Sequence, residues 1–194
     1  DLSSDSWRVI LNMGCNAVDA AVAGGFSLAI TLPRAGNLCG GGFMLVYIKE
    51  KNEIYYIDYR SRSPLNSNLE NIFDLTNTTD TPYEVVPKSF DDKKFDIVDT
   101  GYKASAVPGT VAGLLDAHAN FGKLELKDIL EPVIALAENG IQVSYDLHKA
   151  IESTPRLFSD PESQRIYFRD GKPIKEFSIL KLPDLANTFK LISK

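Results

Sequence analysis

The sequence has few residues of the kinds that build metal sites, disulfide frameworks or nucleic-acid interfaces. Its 194 residues include two cysteines and two histidines. Cys15 and Cys39 belong to no CxxC or Cys/His pattern with metal-ligand spacing, and two cysteines cannot form a disulfide framework. The net charge of −5 comes without the long basic stretch that phosphate neutralisation would require. We therefore expect no metal, no other cofactor and no nucleic acid as a ligand.

Long apolar runs are scarce as well. The longest covers residues 17–32, which is short for a bilayer, and Asp19, Gly24, Gly25 and Ser27 interrupt it. No basic and then apolar leader opens the sequence, but a leader that had been removed would leave no trace. We expect no membrane-spanning segment in this chain.

The sequence does contain enough apolar material for one core, since 44% of its side chains are apolar. The segment "WRVILNMG" predicts the last turns of a helix that Gly14 ends, and "LPDLANTFKLISK" predicts a helix that continues to Lys194. Both chain ends would then lie within helices. We predict that residues 1–194 form a single partial domain, a piece of a larger protein.

A buried helix and a β-hairpin are predicted in the first third of the chain. Asn16 can cap a helix over "AVDAAVAGGFSLAITL", with Asp19 at the third position of a capping box. That helix is apolar on nearly every face, so we expect it to be buried. After the glycine-rich stretch "GNLCGGG", the β-branched and aromatic runs "FMLVYI" and "IYYIDY" predict a hairpin. Arg60 lies at the far end of its second strand.

Residues 61–103 show little periodicity and are rich in Asn, Ser, Asp, Thr and Pro. They predict a long surface excursion with at most a short helix around "LENIFD". The tripeptide that begins at Asn77 would accept a glycan only in a eukaryotic secretory setting, and we take it as chance.

Order resumes after this excursion, with three further helices, a hairpin and the final helix. Their boundaries are predicted from turn, cap and stop residues. These residues are a turn at Pro108–Gly109, caps at Thr110 and Ser144, a helix start near Pro132, helix ends at Gly122, Gly140 and before Pro155, and a hairpin turn at Asp170–Gly171.

The glycine-rich stretch and Cys39 are the first candidates for chemistry, and both are better explained by packing. A phosphate-binding loop needs a helix after its glycines, whereas here the glycines stand between a helix and a strand. A nucleophilic Cys39 needs an activating base, but His118 and His148 lie on predicted helices far along the chain. We expect close backbone packing at the glycines and ordinary helix-face roles for the histidines.

Arg60 is the stronger candidate. An arginine at a strand end presents a planar fork that can bind a carboxylate through two parallel hydrogen bonds. Arg62 follows two residues later, so the alternative is that both arginines are solvent-exposed surface residues without a ligand.

Four motifs in sequence order carry a family resemblance: "GCNAVDAAVA", "GNLCGGGFMLVY", "IDYRSRSP" and "AVPGTVAGLLDAHANFGKLELKDILEPVIALAENGIQVS". Together they resemble the large subunit of γ-glutamyltranspeptidases over nearly the whole chain. The resemblance implies the four-layer αββα sandwich of N-terminal nucleophile hydrolases, incomplete here without the small subunit. It also implies a precursor that cuts itself into two subunits.

The activity that the resemblance implies is cleavage of γ-glutamyl amides such as glutathione, with transfer of the glutamyl group to amino acids, peptides or water. The nucleophile is the threonine that begins the small subunit. Its "TTH" motif is absent from this sequence, and "TNTTD" is no substitute. No catalytic residue is therefore expected in this chain, which alone should be inactive. Periplasmic or secreted location is implied by resemblance only.

One site residue carries over by position. The "DYR" of "IDYRSRSP" matches the family's Asp-aromatic-Arg, so Arg60 resembles the residue that grips the α-carboxylate of the substrate. The family usually has Glu after this arginine, whereas Ser61 stands here. Cys15 and Cys39 occupy places where relatives more often have glycine. An acylase or poly-γ-glutamate depolymerase of the same fold, and a non-catalytic binding module that kept the scaffold, remain alternatives.

Overall fold

The computed structural model describes residues 8, 10–65, 67, 86–90, 93–97, 105–154 and 156–194. Its helices and strands, in chain order, are α1 (Ala17–Thr31), β1 (Phe43–Ile48), β2 (Glu53–Asp58), β3 (Val86–Phe90), β4 (Lys93–Ile97), α2 (Thr110–Phe121), α3 (Leu126–Asn139), β5 (Ile141–Gln142), α4 (Tyr145–Glu152), α5 (Arg156–Ser159), α6 (Pro161–Tyr167), β6 (Phe168–Arg169), β7 (Lys172–Pro173), β8 (Ile179–Leu180) and α7 (Pro183–Ile192).

Helix α1 begins with the predicted capping box. The side-chain oxygen of Asn16 accepts hydrogen bonds from the N–H groups of Val18 and Asp19, and Asp19 Oδ2 accepts one from the Asn16 N–H at 3.1 Å. The preceding residues, 10–12, are helical, and Gly14 follows them with φ of +80°. Both helix-boundary predictions are confirmed.

The core forms around α1, as its apolar sequence predicts. Helices α2 and α3 pack on α1, and α7 packs on α3. Phe26 of α1 and Phe189 of α7 are fully buried and meet edge to face, with ring centroids 5.8 Å apart. Phe121 at the end of α2 contacts the ring of Tyr55 on β2, with centroids 4.8 Å apart. The helical core is thereby joined to the β1–β2 hairpin.

The β1–β2 hairpin is confirmed, with antiparallel register from Phe43 opposite Asp58 to Ile48 opposite Glu53. Its inner face, which includes buried Val46, packs on the core. Its outer face is also apolar and is exposed in this chain. The outer-face residues are Phe43, Leu45, Tyr47, Ile54 and Tyr56.

The C-terminal third follows most of the predicted boundaries. Ser144 Oγ accepts a hydrogen bond from the Leu147 N–H at the start of α4. Gly140 ends α3 with φ of +89°. Asp170 and Gly171 form the turn between β6 and β7, with φ of +51° and +72°. Positive φ at both positions suits the tight turn of a two-residue hairpin.

Three boundary predictions are wrong. Gly109 caps α2 without any side-chain bond, and Thr110 is the first helical residue. Pro132 lies inside α3, which starts at Leu126; a proline within the second turn or later removes one hydrogen bond, but burial of the apolar helix face outweighs that loss. The last helix ends at Ile192 with Ser193 as its C-cap, not at Lys194.

The region predicted as an excursion also contains a hairpin, β3–β4, with Val86 opposite Ile97 and Phe90 opposite Lys93. The expectation of at most a short helix is therefore wrong for residues 86–90 and 93–97. The segment "LENIFD" and Asn77 lie outside the described residues.

Within the described ranges, strands pair in four two-stranded sheets: β1–β2, β3–β4, β5–β8 and β6–β7. The architecture is one of mixed helices and short strands around the α1 core. The four-layer αββα sandwich stays a prediction for the larger protein.

Candidate functional site

Arg60 lies at an open cleft of about 270 Å³ between the end of β2 and the start of α2. The cleft is lined by Ile57, Asp58, Tyr59, Arg60, Arg62, Val107, Pro108, Gly109, Ala112, Gly113 and Asp116. The segment after β2 and the segment before α2 are 45 or more residues apart in sequence, and the fold brings them together. Another cavity of similar volume is lined by Arg34 and Asp146, among others, and Arg60 is not part of its lining.

The backbone around Arg60 is fixed by hydrogen bonds on both sides. Gly42 and Tyr59 exchange N–H to carbonyl bonds of 3.3 and 3.1 Å, which extends the β1–β2 ladder by one pair. Arg62 and Val107 exchange bonds of 3.1 and 2.8 Å. Asp58 Oδ1 accepts from the Arg60 N–H at 2.9 Å, which forms an Asx-turn. The backbone that carries the Arg60 side chain is therefore fixed by these hydrogen bonds.

The glycine-rich loop and the start of α2 enclose this segment. The Gly40 carbonyl accepts hydrogen bonds from the N–H groups of Gly109 and Thr110, at 2.8 and 3.1 Å. The loop is thereby joined to the helix start. The expectation of close backbone packing at the glycines is confirmed, because Gly41 and Gly42 approach the segment of Tyr59 to Ser61 too closely to admit a Cβ.

The cleft carries two guanidinium and two carboxylate groups. Asp116 Oδ1 accepts a hydrogen bond from Asn120 Nδ2 at 3.1 Å, and Asp58 is bonded to the Arg60 backbone. Among the residues that the structure describes, no carboxylate forms an ion pair with Arg60 or Arg62. The Arg60 side chain is exposed and can therefore bind an external anion without first breaking an ion pair to any of the described residues.

Tyr59 forms the wall of the cleft. Its ring packs against Gly42 and Gly113, where added side chains would collide with it. Burial raises the pKa of the Tyr59 phenol above its usual value. The hydroxyl therefore stays protonated at neutral pH and adds no negative charge beside Arg60.

The cysteines and histidines lie in ordinary structural environments. Cys39 is an exposed free thiol, and Cys15 is a partly buried one whose pKa is raised by burial and by the negative charge of Asp19. His118 Nε2 lies 2.8 Å from the Leu124 carbonyl oxygen, and His148 Nδ1 lies 2.9 Å from that of Ile174. Both histidines therefore hydrogen-bond to the backbone, as a helix-face role predicts.

In the described part of the chain, no group of three or more His, Cys, Asp or Glu side chains could hold a metal ion. Nor does that part contain a helix with the length and hydropathy to cross a bilayer.

The sequence profile of one family, gamma-glutamyltranspeptidase, matches residues 4–194. The chain belongs to the γ-glutamyltranspeptidase family. It corresponds to the N-terminal, large-subunit portion of the family's proenzymes. The identification from four sequence motifs is thus confirmed.

Individual relatives agree with this family membership. The chain is 38% identical over 184 residues to the glutathione hydrolase proenzyme of Pseudomonas aeruginosa and 34% identical over 191 residues to that of Bacillus subtilis. The crystal structure of Helicobacter pylori γ-glutamyltranspeptidase is similar to 99% of the chain, with 30% identity and a TM-score of 0.84.

The relatives are much longer than this chain. The two alignments cover 95% and 98% of the chain but 30% of each proenzyme. The chain likewise matches 51% of the H. pylori protein chain. It therefore has the fold of a fragment of a γ-glutamyltranspeptidase, an N-terminal nucleophile hydrolase.

Within this family fragment, the sequence predicted Arg60 but not the residues that surround it. Asp58, Tyr59, Gly109 and Gly113 were not expected at one cleft. Two signals were present: an aspartate two residues before Arg60, which is the spacing of an Asx-turn, and an isolated glycine at position 113 inside a helical pattern.

Proposed function

We propose that residues 1–194 are a single partial domain from the large subunit of a γ-glutamyltranspeptidase. The complete enzyme would cleave γ-glutamyl amides such as glutathione and transfer the γ-glutamyl group to amino acids, peptides or water. The observation that carries this proposal is the position of Arg60, on a held backbone at an open cleft with its guanidinium unpaired among the described side chains.

Arg60 is proposed to bind the α-carboxylate of the glutamyl substrate. A guanidinium can form two parallel hydrogen bonds with a carboxylate, which fixes the direction of the substrate as well as its charge. With one end of the substrate fixed, the γ-carbonyl is held in place for attack, and this gain comes from orientation. Ser61 stands where the family resemblance implies Glu, and it cannot supply a second charge beside Arg60. Orientation of the arginine then depends on Asp58 and the backbone contacts.

The nucleophile in this proposal is the threonine that begins the small subunit, which this sequence does not contain. Its hydroxyl would attack the γ-carbonyl carbon with its own α-amino group as the base, and the amine of the substrate would leave as the acyl-enzyme forms. Water or an acceptor amine would then release the glutamyl group. This chain would contribute substrate binding and orientation, and alone it would be inactive.

The exposed apolar outer face of the β1–β2 hairpin is an argument for a partner that has an apolar surface of its own. Leu45 and Ile54 are 72% and 71% exposed, and Phe43 stacks on Tyr56 in the same face. A monomeric domain rarely leaves such a patch uncovered. We propose that the small subunit covers it, which would place the hairpin inside a four-layer αββα sandwich.

The complete enzyme is proposed to be periplasmic or secreted, and cell fractionation would test this.

The proposed activity is tested with a chromogenic γ-glutamyl anilide. The complete proenzyme should release the aniline after it has cleaved itself, whereas residues 1–194 alone should release none. Release by the isolated segment would overturn the division of roles between the subunits. Glutathione, glutaryl amides and poly-γ-glutamate should be compared as substrates. Preference for a glutaryl amide would indicate an acylase, and preference for the polymer would indicate a depolymerase.

A further inference from the structure

The glycines around Arg60 are required for space and not for backbone conformation. Among the glycines that the structure describes, Gly14, Gly140 and Gly171 are the ones with positive φ. Neither Gly41 nor Gly109 has the positive φ that favours glycine, and φ of Gly109 is −115°. A preference for glycine at these two positions must therefore come from the atoms next to them.

Those atoms belong to the segment that carries Arg60. A Cβ on Gly41 would lie 2.6 Å from the Tyr59 carbonyl oxygen and 2.8 Å from the Arg60 carbonyl carbon. A Cβ on Gly109 would lie 2.8 Å from the Tyr59 carbonyl carbon. Real Cβ atoms essentially never approach other atoms within 3.0 Å. Because the neighbouring atoms are backbone, relief of the clash would require the whole segment to move.

We propose that Gly41 and Gly109 are positioning residues for substrate recognition: they set the place of the Arg60 backbone and, through it, the place where the substrate carboxylate binds. This inference rests on the proposed role of Arg60. The two glycines lie on separate parts of the chain, and the Gly109 N–H donates a hydrogen bond to the carbonyl of Gly40, the residue before Gly41. The glycine loop and the start of α2 thus both restrict the position of the Arg60 segment.

Two other glycines of the same loop provide controls, one for the loss of a loop glycine and one for crowding at a place away from Arg60. A Cβ on Gly40 would meet its nearest atoms at 3.6 and 3.7 Å, which is ordinary contact, so Gly40→Ala changes the loop without moving the segment. A Cβ on Gly36 would also lie too close to a neighbouring atom, but that atom is Cβ of Leu28 on α1. Gly36→Ala therefore controls for crowding that does not involve Arg60.

The experiment measures selectivity for the carboxylate in the complete proenzyme. The γ-glutamyl 4-nitroanilide is compared with the 4-aminobutyryl 4-nitroanilide, which lacks only the α-carboxylate, and the ratio of the two kcat/KM values is taken. This ratio does not depend on the amount of correctly folded enzyme. Gly41→Ala and Gly109→Ala should each lower it by about 10- to 100-fold, since a displacement of about 1 Å has effects of this size.

Gly40→Ala and Gly36→Ala should keep the wild-type ratio, and Gly109→Ala should lower it little further when combined with Arg60→Ala. If Arg60→Ala abolishes selectivity but both glycine variants keep it, the inference is overturned while the proposed function stands. If both variants yield no processed enzyme although Gly36→Ala does, the glycines serve folding alone, which also overturns it. A wild-type proenzyme that does not cleave the γ-glutamyl anilide, or an Arg60→Ala variant with full selectivity, overturns the proposed function itself.

Discussion

Asp19 shows how one buried charge can organise several segments. Its side chain is fully buried, and its Oδ1 accepts a hydrogen bond from the Lys123 N–H at 2.9 Å. Its Oδ2 accepts one from the Asn16 N–H at 3.1 Å and a longer one from the Leu124 N–H. Asn16 Nδ2 in turn donates to the Phe121 carbonyl at 2.6 Å. The start of α1 is thereby joined to the connection between α2 and α3.

We predict that Asp19→Ala destabilises the complete protein by at least about 2 kcal/mol, because buried N–H groups are left without acceptors and each such loss costs roughly 1–3 kcal/mol. Asp19→Asn keeps one acceptor oxygen and should cost less. Denaturant unfolding of the complete protein measures both.

Asp184→Ala is the control for this prediction, because it removes an aspartate whose side chain is 71% exposed in its ion pair with Arg165. Exposed pairs contribute little to stability. Equal destabilisation by Asp19→Ala and Asp184→Ala would contradict the role of Asp19.

At the scale of elements, the β1–β2 hairpin has two apolar faces, of which one is covered within this chain. The inner face packs on the α1 core, and the outer face is exposed here. The sequence contained a signal for this: "FMLVYI" is a continuous apolar run, and strands covered on both sides have such runs, whereas half-exposed strands alternate. The hairpin was predicted, but the apolar character of its exposed outer face was not.

A charge on the outer face should prevent assembly. We predict that Leu45→Glu greatly reduces the yield of the processed two-subunit enzyme, since a carboxylate buried against an apolar partner has no compensating bonds. The yield is measured by gel electrophoresis and size-exclusion chromatography of the expressed proenzyme.

Leu191→Glu provides the matched control, because Leu191 is 69% exposed and belongs to α7, which packs on α3. Yields that fall equally in both variants, or in neither, would contradict a subunit interface on the hairpin.

The helices and hairpins were predictable where a local rule decides them. The capping box of α1, the glycine that ends α3 and the Asp170–Gly171 turn each depend on residues within a few positions. The predictions at Thr110 and Pro132 were wrong because contacts elsewhere decide those boundaries. Gly109 binds the Gly40 carbonyl, and α3 buries an apolar face that extends before the proline.

At the scale of the whole molecule, the candidate site is formed by segments that are far apart in sequence. Arg60 was predicted from its strand-end position and from a family motif. Gly109, Gly113 and Asp116 reach the same cleft only because α2 packs on α1 and its start bonds to the glycine loop. No spacing in the sequence reports such a contact. The glycines gave a local signal of close packing, but not the identity of the segment that packs on them.

Binding of the substrate carboxylate by Arg60 is best tested by KM for a γ-glutamyl anilide in the complete Arg60→Ala enzyme. The loss of a desolvated ion pair typically costs roughly 2–5 kcal/mol, so KM should rise by roughly 30-fold or more. Arg62→Ala, two residues away in the same cleft, should raise KM far less. An unchanged KM in Arg60→Ala would contradict carboxylate binding by Arg60 and remove this residue from the site.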